Sequence, residues 1–194
     1  MSMHPSISVV VPALNAEKTL RPVLAAIAAE GPGEIIVVDG SSGDGTPDIA
    51  RHRGARVITA RRGRGSQLAA GAEAAKGDWL LFVHADTRLS PGWMKSVGAF
   101  AADPVNEMRA GVFEFRLDDP APQARRIERL VSRRIRLLAL PYGDQGLLIS
   151  RAFYDSIGGF RTIPLMEDVD IVRRIGRRRL AVLDATAHTS AARY

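Results

Sequence analysis

Runs of apolar residues that stop abruptly at polar residues recur along the chain. The clearest run covers residues 79–83 and is followed by His84, Ala85 and Asp86. An uninterrupted apolar run of this kind is typical of a strand buried on both faces of a parallel sheet. Ligands of open α/β sheets bind just outside the carboxyl ends of the strands. We therefore expect the polar residues that follow such strands to converge on one cleft.

Extended and helical patterns alternate along most of the chain. Strands are predicted at residues 7–11, 34–38, 56–59, 79–83, 110–117, 146–150 and 179–184. Helices are predicted at residues 18–29, 46–53, 67–76, 90–101, 122–140 and 167–175, with a short helix after residue 150. The β-α-β-α-β-α-β order of the first half favours an α/β fold with a Rossmann-like, mostly parallel sheet and helices on both faces.

Three residues are expected to set the ends of these elements. Pro12 closes the first β-branched run, so the first strand should end there. The hydroxyl of Thr46 is expected to cap the second helix, because proline follows it in the first turn. Ser90 is expected to cap the fourth helix.

Composition and charge limit the classes of protein that remain. The 194 residues, of which 46% are apolar, suffice for a single domain with a full core. The absence of cysteine excludes disulfides and thiolate metal sites. No apolar stretch is long enough to span a bilayer and residues 1–8 lack a signal-peptide core, so we expect a cytoplasmic protein.

The net charge of +6 comes mainly from arginine. Arginine favours recognition of phosphate and other anionic groups, so nucleotide, anionic lipid and nucleic acid compete as partners. Nucleic acid is the least favoured, because few aromatic residues stand near the arginines to stack on bases. Residues 122–140 form an arginine-rich amphipathic pattern, which indicates either a solvated surface or contact with a membrane surface.

Asp39 ends the second predicted strand and begins a glycine-rich turn over residues 39–45. A carboxylate at this place can accept hydrogen bonds from a nucleobase N–H or from ribose hydroxyls. It can equally cap the backbone amides of its own turn, since aspartate and glycine dominate turns. Both interpretations stay open at the level of sequence.

Asp86 follows the most strongly apolar strand, and His84 precedes it by two residues. Mg²⁺ and Mn²⁺ are often held by one or two carboxylates together with substrate phosphates. In an extended chain, residues two apart point the same way, so His84 and Asp86 would share one side. The alternative role for Asp86 is to cap the next helix, but Ser90 is nearer to that helix.

Glu167 and Asp168 open the last predicted helix, after a loop over residues 163–166. Acids at this position complement the helix dipole, which needs no functional explanation. The functional alternative is a general base, which must reach a hydroxyl of the acceptor.

The basic turn at residues 61–66 offers Arg62, Arg64 and free backbone N–H groups at a helix N-terminus, which together suit an anion. It lacks both the Walker pattern and the Gly-x-Gly-x-x-Gly pattern, so the turn alone is a weak motif.

Taken together, these residues resemble family 2 glycosyltransferases with the GT-A fold. The matching segments are residues 7–17, 34–46 and 74–87, with Gly-Gly-Phe at 158–160 followed by Glu167-Asp168. His-Ala-Asp-Thr at 84–87 with Tyr-Gly-Asp-Gln at 142–145 is similar to the subgroup called radical-SAM/selenodomain-associated transferase 2.

The resemblance implies one GT-A domain over residues 1–194, with a nucleotide-binding half (1–103) and an acceptor-side half (104–194). It implies inverting transfer of a sugar from a nucleotide-diphosphate sugar to an acceptor hydroxyl or phosphate. The residues that it places in the nucleotide pocket are Pro12, Leu14, Asn15 and Glu17, with Asp39 at the base.

The same resemblance gives Asp86 the role of binding the diphosphate and a divalent cation, Mn²⁺ or Mg²⁺. Asp168 becomes the catalytic base, with Glu167 beside it. The chain departs from the family in two places. His84 replaces the first acid of the Asp-x-Asp motif, and Ala69 stands where asparagine is usual.

The mechanism expected from this pattern rests on charge. The diphosphate leaving group must be stabilised as the glycosidic bond breaks, by a cation near Asp86 and by Arg62 or Arg64. The arginine-rich residues 122–140 would then present a lipid-linked or other anionic acceptor at the inner face of the membrane.

Two other functions fit the same pattern. A nucleotidyltransferase can share the sheet, but residues 12–17 lack the glycine-rich loop with arginine or lysine that such an enzyme normally has after its first strand. A non-catalytic nucleotide-sugar-binding or scaffold protein is the other alternative, which the replacement at His84 keeps open.

Overall fold

A computed structural model describes residues 5–118, Glu128 and residues 143–189. Eight strands lie in this part of the chain, namely β1 (Ile7–Ala13), β2 (Glu34–Asp39), β3 (Arg56–Thr59), β4 (Trp79–Phe82), β5 (Thr87–Leu89), β6 (Ala110–Leu117), β7 (Leu147–Ser150) and β8 (Leu180–Thr189). The same part contains six α-helices, namely α1 (Glu17–Ala28), α2 (Thr46–His52), α3 (Arg64–Ala74), α4 (Trp93–Ala102), α5 (Arg151–Ser156) and α6 (Glu167–Ile175).

All eight strands belong to one sheet with the order β3-β2-β1-β4-β7-β6-β8-β5. The first four strands in this order run parallel to one another, and β6 runs parallel to β8. Strand β7 is antiparallel to both of its neighbours, and β5 is antiparallel to β8. The predicted α/β architecture with a mostly parallel sheet is therefore confirmed. The division of the chain at residue 103 stays a prediction.

Helices cover both faces of the sheet, as expected. On one face, α1 and α4 bury Leu24 and Trp93 in the same apolar cluster as Val9 and Val11 of β1. On the other face, α3, α5 and α6 pack in a second cluster that contains Val10. Successive residues of a strand point to opposite faces, and all seven residues of β1 are buried, so β1 is apolar at every position except Ser8. The Ser8 hydroxyl is satisfied by Glu34 and by the N–H of Gly77.

Gly71 allows α3 to lie unusually close to the sheet. A Cβ atom at this position would stand 2.3 Å from Cγ1 of Val10 and 2.9 Å from Cγ2 of Val38. Any larger residue would push the helix outward from β1 and β2. The close approach places the N-terminus of α3 at the carboxyl ends of these two strands.

The predicted end of the first strand at Pro12 is wrong, because β1 continues to Ala13. Pairing of β1 with β4 stops at Val10, so β4 does not require the N–H group that Pro12 lacks. The last strand also runs further than the predicted residue 184, to Thr189. Its second half pairs with β5, a three-residue strand that local pattern does not predict.

Neither predicted hydroxyl cap is present. Helix α2 begins after Gly45, and Oγ1 of Thr46 instead donates to Asp44 and accepts from the N–H of Ala16. Helix α4 begins after Gly92, while Oγ of Ser90 accepts from the N–H of Thr186. Both hydroxyls therefore connect distant segments instead of capping their own helices.

Helix α3 starts three residues earlier than predicted, at Arg64, so the basic turn lies partly inside its first turn. The predicted helix at 122–140 lies outside the described residues, except for Glu128. The buried carboxylate of Glu128 accepts from the N–H of Leu117 and contacts Arg116. Within the described ranges, no helix combines the length and the apolar character needed to cross a bilayer.

Candidate functional site

A cleft of about 520 Å³ lies at the carboxyl ends of β1 and β4. Loop residues after β1, the basic turn with the first part of α3, and the residues after β4 form its walls. Seven of the predicted site residues line it, namely Pro12, Leu14, Asn15, Arg62, Arg64, His84 and Asp86. The expected convergence of polar residues behind separate strands is thus observed for these seven.

One wall of the cleft is held by hydrogen bonds between the loop after β1 and the turn after β2. Asn15 adopts a left-handed backbone conformation with φ 50°, which asparagine tolerates better than most residues. Its Oδ1 accepts from the N–H of Gly43 (2.9 Å), and its own N–H donates to Oγ of Ser42 (2.9 Å). The predicted pocket residue Asn15 therefore also fixes the shape of the wall.

Glu17 belongs to the same network but does not line the cleft. Its side chain is exposed, and Oε2 accepts from the N–H of Gly45 at 3.3 Å. Its N–H donates to Oδ2 of Asp44. The hydroxyl of Thr46, which donates to Asp44, holds the pKa of that carboxyl below its usual value, with further hydrogen bonds from backbone N–H groups. Asp44 is thus kept in the charged form that accepts these bonds.

Asp39 is buried and stands beside Ala13 in the register of β1 and β2. Its Oδ2 accepts from the N–H groups of Ser41 and Ser42, both at 3.1 Å, and its Oδ1 accepts from the Ser42 hydroxyl at 2.5 Å. Capping of its own turn, one of the two interpretations left open by the sequence, is therefore present. Ala13 lines the cleft, so Asp39 lies next to the wall, and its contact with a base stays a prediction.

Gln67 is a cleft residue that sequence reasoning missed. It is 4% exposed, and its Nε2 donates to the carbonyl oxygens of Ala13 (2.8 Å) and Val38 (2.7 Å). The side chain thereby holds together the ends of β1 and β2 at the floor of the cleft. A signal was present in the sequence, because Gln67 lies one helical turn before Gly71 and so shares the face of α3 that meets the sheet.

The basic turn brings positive charge to the opposite wall. Arg62 and Arg64 are both exposed and line the cleft beside the first turn of α3. Backbone N–H groups at a helix N-terminus and two guanidinium groups are together well suited to a phosphate. Nη1 of Arg64 also lies 3.3 Å from Oε1 of Glu167, whose side chain is only 4% exposed.

Glu167 and Asp168 form the first turn of α6, as predicted, and lie outside the main cleft. Met166 precedes them with φ 65°. Asp168 is half-buried in the first turn of α6, where its charge complements the helix dipole, and its Oδ1 accepts from the N–H of Val169 at 2.8 Å. It lines a second, smaller cavity of about 20 Å³. His84 lines both cavities, so it stands between the predicted donor site and the predicted base.

Phe160 of the Gly-Gly-Phe segment lines this smaller cavity. Gly159 packs on Tyr154, since a Cβ there would stand 2.7 Å from the tyrosine ring. The Tyr154 hydroxyl accepts from the N–H of Phe160 at 2.9 Å, and burial raises the pKa of Tyr154. The ring of Phe160 meets that of Phe82 edge to face, with centroids 4.9 Å apart. The motif therefore has a packing role beside Asp168.

The residues present suit a metal only in part. Within residues 5–118 and 143–189, no group of three or more histidine, aspartate or glutamate side chains could hold an ion. The cleft offers Asp86 and His84. One or two protein ligands are enough for Mg²⁺ or Mn²⁺ when substrate phosphates complete the coordination shell of the ion. Asp86 therefore fits a cation that binds together with a diphosphate, while the imidazole of His84 is a weaker choice for these metals.

Comparison with known proteins identifies a family and similar proteins. The sequence profile of the family described as "Glycosyl transferase family 2" matches residues 8–163. A PGL/p-HBAD biosynthesis glycosyltransferase of Mycobacterium bovis is 37% identical over 94 residues, which cover 44% of this chain and 37% of that protein. An uncharacterized glycosyltransferase of Mycobacterium tuberculosis is 39% identical over 88 residues, which cover 45% and 39%. The matches thus span well under half the length of these curated relatives.

Solved structures resemble the whole fold. Glucosyl-3-phosphoglycerate synthase from Mycobacterium tuberculosis, in complex with Mn²⁺ and UDP-glucose, has a TM-score of 0.69 at 24% identity and covers 96% of this chain and 70% of that one. S. aureus TarS 1–349 has a TM-score of 0.73 at 21% identity, with 95% and 60% covered. These likenesses show the fold, and they confirm the GT-A architecture expected from the sequence.

Proposed function

The chain belongs to glycosyl transferase family 2, and on this premise we propose that it transfers a sugar from a nucleotide-diphosphate sugar to an acceptor, with inversion at the anomeric carbon. The observation that carries the proposal is the cleft itself. It combines two exposed arginines, a helix N-terminus and Asp86 at the carboxyl ends of parallel strands. The narrower resemblance to the radical-SAM/selenodomain-associated transferase 2 subgroup remains part of the proposal.

In this proposal the donor diphosphate lies between Asp86 and the basic turn. Arg62 and Arg64 bind its phosphate oxygens, and the wall formed by Asn15 holds the nucleoside next to Asp39. The related synthase from Mycobacterium tuberculosis binds UDP-glucose, so a UDP-sugar is the first donor to test. When bound at Asp86, with His84 beside it, a divalent cation supplies charge neutralisation for the leaving diphosphate.

The chemical step uses Asp168 in the smaller cavity and the two arginines of the main cleft, with His84 lining both cavities. Asp168 takes the proton of the acceptor hydroxyl. The acceptor oxygen then forms a bond to the anomeric carbon while the bond to the diphosphate breaks on the opposite face. The diphosphate leaves with the electron pair, and Arg62 and Arg64 stabilise its charge. An acceptor phosphate would need no such proton transfer.

The proposed acceptor has an apolar part, as a lipid-linked alcohol does, and the protein would bind it at the inner face of the membrane. Leu165 and Met166, immediately before Glu167 and Asp168, are 79% and 63% exposed. Exposed apolar residues beside a site are suited to an apolar ligand. The arginine-rich residues 122–140, for which membrane contact was predicted, lie outside the described part of the chain.

The proposal is tested by thermal unfolding with UDP- and GDP-sugars, with and without Mn²⁺, followed by turnover assays. We expect one class of sugar nucleotide to raise the melting temperature and to be slowly hydrolysed. Asp168→Asn should lose transfer and keep donor binding, because it retains shape and removes the base. Release of pyrophosphate from a nucleoside triphosphate and a sugar phosphate would favour a nucleotidyltransferase. Donor binding without any turnover would favour a scaffold.

A further inference from the structure

The ion pair between Arg64 and Glu167 joins the two sides of the site. Arg64 is the first residue of α3, lines the donor cleft and has a side chain that is 41% exposed. Glu167 is the first residue of α6, has a side chain that is 4% exposed, and immediately precedes Asp168. One guanidinium group therefore faces both the cleft for the donor and the helix that carries the proposed base.

The backbones of the two sides also touch at this place. A Cβ on Gly65 would lie 2.3 Å from the carbonyl oxygen of Arg161 and 3.4 Å from Cβ of Glu167. No side chain larger than that of glycine fits between the first turn of α3 and the segment that leads into α6. Closely packed interiors transmit displacements, so a shift of Arg64 in the first turn of α3 would displace the start of α6.

The charges at this place compete. A carboxylate as deeply buried as that of Glu167 depends on a nearby countercharge. The guanidinium of Arg64 carries five N–H donors, so its contact through Nη1 leaves donors for a second anion in the cleft. A diphosphate in the cleft would therefore compete with Glu167 for Arg64.

We propose that Arg64 is shared between Glu167 and the donor diphosphate, so that donor binding weakens the restraint on the start of α6 and thereby prepares the acceptor side. This inference rests on the proposed function, because it requires a nucleoside diphosphate in the cleft. Glu167 then acts as a positioning residue that lowers the affinity for the donor. By linkage, whatever loosens Glu167 from Arg64 must strengthen donor binding by the same factor.

The test is isothermal titration calorimetry of UDP with Mn²⁺ on the full chain. Glu167→Gln should bind UDP at least about fivefold more tightly than the wild type, the lower limit of common coupling between sites. Arg64→Gln should bind UDP more weakly. Adding Glu167→Gln to Arg64→Gln should then change Kd by less than about twofold, because the shared group is already lost.

Asp170→Asn is the matched control, because Asp170 lies on the same helix and pairs with Arg161 and Arg174. It removes the same charge without freeing a cleft arginine, so Kd for UDP should stay within about twofold of the wild type. A merely structural role for Glu167 predicts weaker binding after its replacement. Tighter binding with a lower kcat separates the two roles.

Unchanged or weaker UDP binding by Glu167→Gln, while the wild type binds UDP, would overturn the sharing and leave the proposed function intact. If the wild type binds neither UDP nor GDP, both proposals are overturned; if it binds only GDP, the same variants are titrated with GDP. If Glu167→Gln fails to fold, Arg64→Lys tests the same idea, since Arg64 is exposed. A point charge cannot span two anions as a guanidinium does, so Kd should rise at least about fivefold. An unchanged Kd would then refute the sharing.

Discussion

The two walls of the site are held in different ways. On the donor side, the turn over residues 39–46 is tied to the loop after β1 by hydrogen bonds that involve Asn15, Glu17 and Thr46. On the acceptor side, α6 is tied to its surroundings by ion pairs, Glu167 with Arg64 of α3 and Asp170 with Arg161 of the preceding segment. Hydrogen bonds fix directions, whereas ion pairs of exposed arginines tolerate movement.

The donor side and the acceptor side also differ in burial and in backbone conformation. Gln67 fastens the ends of β1 and β2 from below with two buried hydrogen bonds. By contrast, Leu165 and Met166 are exposed, and Met166 is held in a left-handed conformation that is costly for a residue with a long side chain. If the proposed function holds, we expect the donor wall to be formed before the ligand binds, and the exposed residues Leu165 and Met166 to adjust afterwards.

Asp86→Ala should have the largest effect, because Asp86 lies where the rigid wall meets the proposed diphosphate. Hydrolysis of the sugar nucleotide should fall about 100- to 1000-fold, the usual cost of removing a group that stabilises transition-state charge. Release of UDP measures it. Asp118→Asn is the control, since Asp118 pairs with Arg88 and does not line the cleft. A loss below tenfold with Asp86→Ala would remove this residue from the diphosphate site.

Gly65→Ala should break the contact between the two sides. The added Cβ would lie 2.3 Å from the carbonyl oxygen of Arg161, which belongs to the backbone and cannot rotate away as a side chain could. We expect a loss of about 3 kcal/mol in the free energy of unfolding, because neither element can yield without repacking. Urea unfolding measures this loss.

Gly98→Ala is the matched control for Gly65→Ala. Gly98 lies inside α4, and a Cβ added there would have nothing within 4 Å of it. The same substitution there should be neutral or stabilise the protein by up to about 1 kcal/mol, because alanine favours helix over glycine. Equal effects at the two positions would show that the sides are not tightly packed at Gly65.

Much of the fold could be predicted because it is local in origin. The bounds of β6 and α6 agree with the apolar periods in the sequence. β5 could not be predicted, since its three residues become a strand only by pairing with β8. Pro12 and Ser90 were misread for the same reason, because partners far away in the sequence decide how their backbone and hydroxyl groups are used.

The candidate site was predictable at the level of strand ends and not of cavities. His84 and Asp86 follow a buried strand, as predicted, and both line the cleft. Strand β4 ends at Phe82 and residues 85–86 form a turn, however, so the alternation of an extended strand does not explain their common place. Nothing local indicates that Asp168 lines a separate cavity, or that Arg64 reaches Glu167 across 103 positions of sequence. The role of Gln67 depends likewise on the approach of α3 that Gly71 permits.

Gln67→Leu should weaken the donor wall from below. It leaves the carbonyl oxygens of Ala13 and Val38 without their donor, and we expect a loss of about 1 kcal/mol for each of them. Kd for UDP should rise, because the ends of β1 and β2 shape the cleft. Thermal unfolding and calorimetry with UDP measure the two effects. Glu73→Gln, at an exposed position of the same helix, should change neither, and intact UDP affinity in Gln67→Leu would contradict this role.

The smallest expected effect is on the stability of the protein at low pH, through Asp44 in the donor wall. The hydrogen bond from the Thr46 hydroxyl, with further backbone bonds, lowers the pKa of Asp44 below 3.8. A carboxyl whose folded pKa is depressed stabilises the protein above its unfolded pKa, and this contribution disappears as the pH falls through the folded pKa.

Stability should therefore decline below pH 3.8 in the wild type and decline less steeply in Asp44→Asn, which cannot lose a charge. Screening by solvent limits the difference to about 0.5 kcal/mol. Urea unfolding from about pH 5 to about pH 3 measures it. Asp78, whose pKa the Ser6 hydroxyl lowers in the same way, supplies a control away from the cleft. If Asp78→Asn but not Asp44→Asn flattens the decline, the hydrogen bonds to the Asp44 carboxylate do not stabilise the folded protein.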